Sequence, residues 1–236
     1  SGDTRFGYPP RAVVEALTTE QAKAWLLPEL ASGYCEITLV GSFDKETAIT
    51  LLSSTFGNLK ERSIKKPDHS AERLVKFPAG TTKEFLFDSE IPKAMAVVHW
   101  PTVSIFQIEK TRRLGMLSAI LDDRLRIKVR EELGDAYSPF AHNLPSDTWT
   151  DYGYLFASVT VDPPQSESVT KVIAEIAAEL ATGKSITADE LDRAKKPQVT
   201  SIEEMRRTNR YWLGSVLESS QEYPERIDWS RTFVDD

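Results

Sequence analysis

TRRLGMLSAILDDRLRIKVREELGDAYSPF, residues Thr111–Phe140, opens as a helix and closes as a strand. Leu114, Leu117, Leu121, Leu125, Val129 and Leu133 recur at steps of three and four, which makes one apolar stripe on a 3.6-residue period. Charges fill the other faces, and Asp122, Arg126 and Arg130 follow each other at i, i+4 spacing. Gly134 stands where a left-handed residue commonly ends a helix. Beyond it, AYSPFAHN reads as extended. The result is a helix–glycine–strand corner with Arg130 and Tyr137 seven residues apart. Arg130 is a permanent cation with a planar fork of donors, and Tyr137 offers one hydroxyl on a stiff ring. Such a pair can grip a peptide carbonyl or a developing oxyanion. Spacing alone favours a plainer reading, in which Arg130 pairs with Glu131 or Asp135 and Tyr137 is a half-buried strand aromatic.

Working outward, residues 1–16 carry Gly7, Pro9 and Pro10 with little pattern and read as a lead-in. Thr18 with Gln21 makes a capping box for a helix over Thr19–Ala31, which Pro28 should kink or end. Cys35–Phe43, CEITLVGSF, reads as a strand with Cys35 as a small buried residue. Asp44 caps a helix over Lys45–Thr55. KERSIKK, Lys60–Lys66, reads as a solvated loop. Glu72–Phe77, Thr82–Phe87 and Ala94–Trp100 read as three strands with short links, which favours antiparallel pairing.

After the Arg112–Leu133 helix, Ala136–Asn143 and Tyr152–Val161 read as two more strands. Ser166–Thr182 is an amphipathic helix stopped by Gly183. Thr187 with Glu190 is a second capping box, opening a helix over Asp189–Leu217 with a break at Pro197. The order is partly segregated, so the expected fold class is α+β: helices packed on a mostly antiparallel sheet. Residues 17–236 are expected to form a single domain.

A net charge of −7 argues against nucleic acid or an anionic membrane as the main partner. No run approaches the roughly 18 consecutive apolar residues of a membrane span. Cys35 is the one cysteine, so no internal disulfide is available, which fits the cytoplasm or the periplasm and cell envelope alike. The chain starts Ser-Gly without an initiator Met, which predicts a segment excised from a longer polypeptide, any signal peptide lying outside it.

Catalytic chemistry is sparse. The three histidines, His69, His99 and His142, are scattered, and neither His-x-x-Glu-His nor His-Glu-x-x-His occurs. Cys35 has no neighbouring histidine, and no G-x-S-x-G or glycine-rich phosphate loop is present. Asp122-Asp123 and Glu131-Glu132 are adjacent on a helix and point to different faces, unlike a carboxylate dyad. No catalytic residue and no metal ligand is expected in this segment.

Two blocks carry a resemblance. Arg130-Glu131-Glu132-Leu133-Gly134-Asp135-Ala136-Tyr137-Ser138, preceded by Arg124-Leu125, resembles the "R-E-x-x-G-x-A-Y-S" run of the C-terminal-type domain of insulinase/pitrilysin-like zinc peptidases. Ile37–Leu59 is similar to the family's strand–"VGDFD"–helix–"FG-L" block, departing from it at Ser42, where the family often has an acidic residue. The tail with Asn209, Tyr211, Trp212 and Leu213 adds a third, looser match, so the likeness runs roughly from Leu17 to Trp212.

The resemblance implies an α+β, non-zinc, substrate-binding domain of a metalloendopeptidase. It implies zinc in the parent enzyme, held by another domain or a partner subunit, and a peptide substrate. It also implies that Arg130 and Tyr137 contact the substrate backbone near the scissile bond. A zinc-less scaffold or peptide-binding subunit is the alternative. The family's domain usually continues past the point matching Asp236, so a truncated C-terminal end is expected.

Overall fold

The computed structural model describes residues 3–59, 62–133, 138–183 and 186–235, with side chains at the end of the long helix described up to Val129 and at Glu131. In chain order the elements are α1 (Arg11–Glu15), α2 (Thr19–Ser32), α3 (Lys45–Ser54), β1 (Ala94–Thr102), α4 (Ile108–Leu133), β2 (Pro139–Pro145), β3 (Gly153–Val161), α5 (Ser166–Ala181), α6 (Ala188–Met205), α7 (Asn209–Tyr211) and α8 (Glu225–Thr232). Short 3₁₀ turns at Phe56–Asn58 and Pro163–Gln165 and a π-helical turn at Trp212–Leu217 complete the list. The chain divides into two compact units, one holding Ser70–Ile202 with the residues from Phe233, the other holding the residues up to His69 with Glu203–Thr232.

The first unit is a three-stranded antiparallel sheet in the order β1-β3-β2, backed by helices. Strand β3 alternates strictly, with Leu155, Ala157, Val159 and Val161 buried and Tyr154, Phe156, Ser158 and Thr160 half-exposed. The buried row meets Ile120, Leu121, Leu125 and Val129 of α4 and Val169, Ile173, Ile176 and Leu180 of α5. Small residues on the inner face of the sheet, Ala96, Ala141 and Ala157, let the helices approach closely. The leucine stripe is therefore the core face of α4, and the helix-on-antiparallel-sheet class is the observed one.

The second unit contains α2, α3 and the C-terminal helices. Thr18 forms the capping box as expected: the Gln21 N–H donates to Thr18 Oγ1 at 3.2 Å, and the Thr18 N–H donates to Gln21 Oε1 at 2.8 Å. Asp44 caps α3, accepting the Thr47 N–H at 2.8 Å. Within this unit Arg62 gathers three carbonyls, donating to those of Gly33, Leu30 and Glu29 at 3.0, 2.7 and 3.3 Å.

Several sequence expectations need correction. Cys35–Phe43, Glu72–Phe77 and Thr82–Phe87 are not strands; among the described residues, Leu74 alone of these segments makes a bridge, to Thr150. A strand needs a continuous ladder, and among the described residues Glu72–Phe77 has only that isolated bridge while the other two segments pair with no strand. Gly41, at φ 150°, also bends the first of them in a conformation that suits glycine. Cys35 is exposed, not buried. Strand β1 pairs with β3 instead of its neighbour in sequence. Neither Pro28 nor Pro197 ends its helix; α2 and α6 continue through them, and the break expected at Pro197 falls after Met205.

Candidate functional site

The corner singled out in the sequence lies between α4 and β2, and both legs are firmly held. On the helix leg, Leu121, Leu125 and Val129 are buried in the core. On the strand leg, β2 pairs with β3 from Pro139↔Val159 to Pro145↔Gly153. A direct tie joins the two legs: the Ala141 N–H donates to Asp122 Oδ1 at 2.9 Å. Arg130 belongs to the backbone of the last turn of α4, but its side chain lies outside the described residues, as do Gly134 and the whole of Tyr137. The expected contacts of Arg130 and Tyr137 therefore fall outside what the structure describes.

Arg124, half of the Arg-Leu pair, is the centre of a polar clamp on the helix leg. Its Nε donates to Glu190 Oε1 at 2.7 Å and its second guanidinium nitrogen donates to Glu190 Oε2 at 3.2 Å, a bidentate pair. Glu179 lies 3.6 Å from the same guanidinium. Glu190 is also the capping residue of α6, since the Thr187 N–H donates to Glu190 Oε2 at 2.9 Å and the Glu190 N–H donates to Thr187 Oγ1 at 3.2 Å. The Arg124 hydrogen bond, helped by the Thr187 N–H, lowers the Glu190 carboxyl to about 2. The same pair raises Arg124 above its ordinary value. Beside it, Asp123 bonds Arg126 on its own helix and accepts from Arg193 of α6 at 3.0 Å. Two adjacent carboxylate–arginine pairs thus tie α4 to α6. Sequence reading found the capping box but missed the clamp, because Arg124 and Glu190 are far apart in sequence and no local spacing marks them.

The outer face of the sheet holds two of the histidines. His99 of β1 and His142 of β2 are registered on either side of Phe156. The His99 ring stacks on Phe156 at 5.9 Å and meets Tyr154 edge-on at 5.4 Å, while His142 stacks on Phe140 at 6.0 Å. Partial burial among these rings lowers the His99 pKa. His69 is an exposed loop residue. Among the described residues, no group of three or more His, Cys, Asp or Glu side chains is arranged to hold a metal ion. No described helix is long and apolar enough to cross a membrane.

A family profile described as "Peptidase M16 inactive domain" matches residues 17–197. The chain belongs to that family. The insulinase/pitrilysin-like resemblance read from the sequence is thereby borne out. The M16 chain is 25% identical over 275 aligned residues to the chloroplastic stromal processing peptidase of Pisum sativum, an alignment covering 97% of this chain and 22% of the relative. It thus spans about a fifth of that relative's length.

Among solved structures, the periplasmic protease PqqL of Escherichia coli matches with a TM-score of 0.62 at 16% identity, covering 83% of this chain and 22% of that one. A protease from Helicobacter pylori matches with a TM-score of 0.59 at 18% identity, over 84% of this chain and 48% of that one. At such identities these two likenesses concern the fold. The M16 match includes α4, β2 and the sequence run between them.

Proposed function

We propose that residues 17–236 act as one non-catalytic, substrate-binding domain of a longer zinc-dependent metalloendopeptidase. The observation that carries this reading is the match of residues 17–197 to the inactive type of M16 domain. The absence of His-x-x-Glu-His from the sequence agrees with it, since in such peptidases that motif holds zinc and supplies the carboxylate that activates water. In this reading the zinc site belongs to another domain of the same polypeptide or to a partner subunit. That site supplies the hydrolytic water.

This chain contributes the positioning of the peptide. Arg130 contacts the peptide backbone near the scissile bond, and Tyr137 donates to the carbonyl oxygen as it becomes an oxyanion. A donor of that kind acts by electrostatic stabilisation and orientation. The clamps on α4 and the ladder of β2 support the reading by fixing the two elements to which the run is joined.

The test has two parts. The chain alone, mixed with zinc and a peptide pool, is expected to bind no stoichiometric zinc and to cleave nothing. Assembled with its zinc-bearing half, the Tyr137→Phe variant is expected to lose on the order of 100-fold in kcat with zinc content unchanged. Wild-type turnover in that variant would remove Tyr137 from the mechanism. A parent protein without any His-x-x-Glu-His would turn the reading into the scaffold alternative, with peptide binding and no hydrolysis.

A further inference from the structure

The sheet runs β1-β3-β2, so β1 is an edge strand. In an antiparallel ladder, successive residues turn their backbone N–H and C=O groups alternately to one side and the other. The Ala141 N–H donates to Asp122, so Ala141 faces away from β3, and Phe140, His142 and Leu144 face toward it. Their partners Ser158, Phe156 and Tyr154 are therefore the β3 residues bonded to β2, and Leu155, Ala157 and Val159 turn to β1. It follows that Ala96, Val98 and Trp100 bond β3, while Met95, Val97, His99 and Pro101 face outward from β1. Pro101 has no N–H to offer, and an outward position on an edge is where a sheet tolerates it. Among the described residues, no other part of the chain bonds these outward groups. The core is also incompletely covered along this edge, since Ala94, Val98 and Trp100 are only partly buried against it.

Residues 82–87, TKEFLF, lie shortly before β1 in the chain and in the same unit. Phe85, Leu86 and Phe87 keep 72, 87 and 85% of their surface exposed. Among the described residues, the backbone of this segment bonds nothing else in the chain. Both of its flanks are already held beside β1. Upstream, the Phe77 ring lies 6.1 Å from Tyr152 and 6.4 Å from Tyr154, and Tyr154 stands opposite Pro101 near the end of β1. Gly80, at φ 66°, then turns the chain. Downstream, the Ile91 N–H donates to Ser89 Oγ at 3.1 Å and the Lys93 N–H to the Ile91 carbonyl at 2.8 Å. Lys93 Nζ bonds Asp162 at 2.8 Å, next to the Val161 that pairs with Ala94 at the start of β1. A segment tethered at the far end of a strand and then at its start runs antiparallel to it. The five steps from Phe77 to Thr82 reach roughly 17 Å, more than the roughly 10 Å from β3 to a strand outside β1.

We propose that residues 82–87 are a strap that closes onto the open edge of β1 as a fourth antiparallel strand, with Phe87 opposite Ala94 and Thr82 opposite His99. In that register Leu86, Glu84 and Thr82 exchange backbone bonds with Met95, Val97 and His99, the residues whose groups face outward. Phe87, Phe85 and Lys83 take the intervening positions, where cross-strand side chains come closest, against Ala94, Ala96 and Val98. Two large rings thus meet two alanines over the uncovered rim of the core. Leu86 joins Met95 on the outer side. A slip of one residue would send both rings outward and leave the rim bare. Residues 88–93 form the connection, and its length is ordinary for neighbouring elements. Closed, the strap removes an open edge; open, as in this structure, it leaves β1 available to another extended chain.

The test is amide hydrogen exchange of the full chain, resolved residue by residue by NMR and repeated at several protein concentrations. The amides of Thr82, Glu84, Leu86, Val97 and His99 are expected to exchange at least about tenfold more slowly than in an unstructured chain, and those of Lys83, Phe85 and Phe87 at unstructured rates. The double variant Phe85→Asp, Phe87→Asp is expected to abolish that protection while the amides of β3 stay slow. Leu86→Ser, on the outer side, is expected to keep the alternation.

Unprotected amides throughout residues 82–87, or a double variant that leaves the pattern unchanged, would overturn the strap. Protection at Lys83, Phe85 and Phe87 in place of their neighbours would overturn the register and the packing argument with it. Protection that grows with protein concentration, together with a dimer in sedimentation, would give the edge to a second copy and remove the strap. Should the double variant fail to fold, the wild-type pattern decides alone.

Discussion

Gly153 leaves no room for a methyl group. A Cβ there would lie 2.3 Å from the Val103 carbonyl oxygen, 2.9 Å from Thr102 Oγ1 and 3.1 Å from Pro145 Cα. These neighbours are mostly backbone, held by the pairing of Gly153 with Thr102 and Pro145 on its two sides. Above the glycine, Thr102 donates to the buried Asn143 across β3 at 3.1 Å. Gly153→Ala is therefore expected to destabilise the chain by about 3 kcal/mol, the upper range for overpacking, read as a lower denaturation midpoint in urea.

Glu190 gives a pH prediction at the same scale. Its carboxyl falls from 4.5 to about 2 in the folded chain. A depressed folded pKa means stability that is complete above the unfolded value and is lost as pH falls toward the folded one. The melting temperature should therefore drop between about pH 4.5 and pH 2. Glu190→Gln should flatten that part of the profile while remaining less stable than wild type at neutral pH. An unchanged acid profile would mean that the Arg124 pair is not formed. At this scale the sequence showed local pairings well, as the caps at Thr18, Asp44 and Thr187 demonstrate. It was silent on Arg124–Glu190 and Asp122–Ala141, because each is made by the tertiary fold.

Among elements, α4 was the most legible, since a 3.6-residue apolar period survives whatever the helix packs against. Its stripe supplies Leu121, Leu125 and Val129 to the core, whereas Ile127 on the opposite side is exposed. The contrast predicts different costs for similar truncations. Leu125→Ala should cost about 3 kcal/mol or more, because its surroundings on β2, β3 and α5 are tightly packed. Ile127→Ala should cost under about 0.5 kcal/mol. Denaturant titration of both variants checks this, and equal costs would mean that the stripe is not the core face.

Strands were less legible because a short apolar run states a preference for extended backbone but not a partner. β1, β2 and β3 find one another and form ladders. Cys35–Phe43 and Thr82–Phe87 have comparable composition and stay outside any ladder. The candidate site divides in the same way: its two legs were readable as helix and strand, and Arg130 and Tyr137 were named on their sequence run alone.

At the scale of the molecule, the two units interleave along the chain, each assembled from separate segments, so sequence order carries no mark of the division. Burial does. The core of β1, β2, β3, α4 and α5 lies wholly in the first unit. In the second, α2 and α3 contain no fully buried residue, and Trp25 keeps 76% of its surface exposed. The stability of a segment against local opening follows the apolar surface it buries. Opening free energies should therefore differ between the units. Native-state hydrogen exchange is expected to show the amides of β3 exchanging only through global unfolding. The amides of α2 and α3 should open far more readily, with rates that depend little on denaturant because such openings expose little new surface. Exchange of α2 as slow as that of β3 would show that the second unit gains its stability from burial not present in this chain's own packing, and would overturn the ranking.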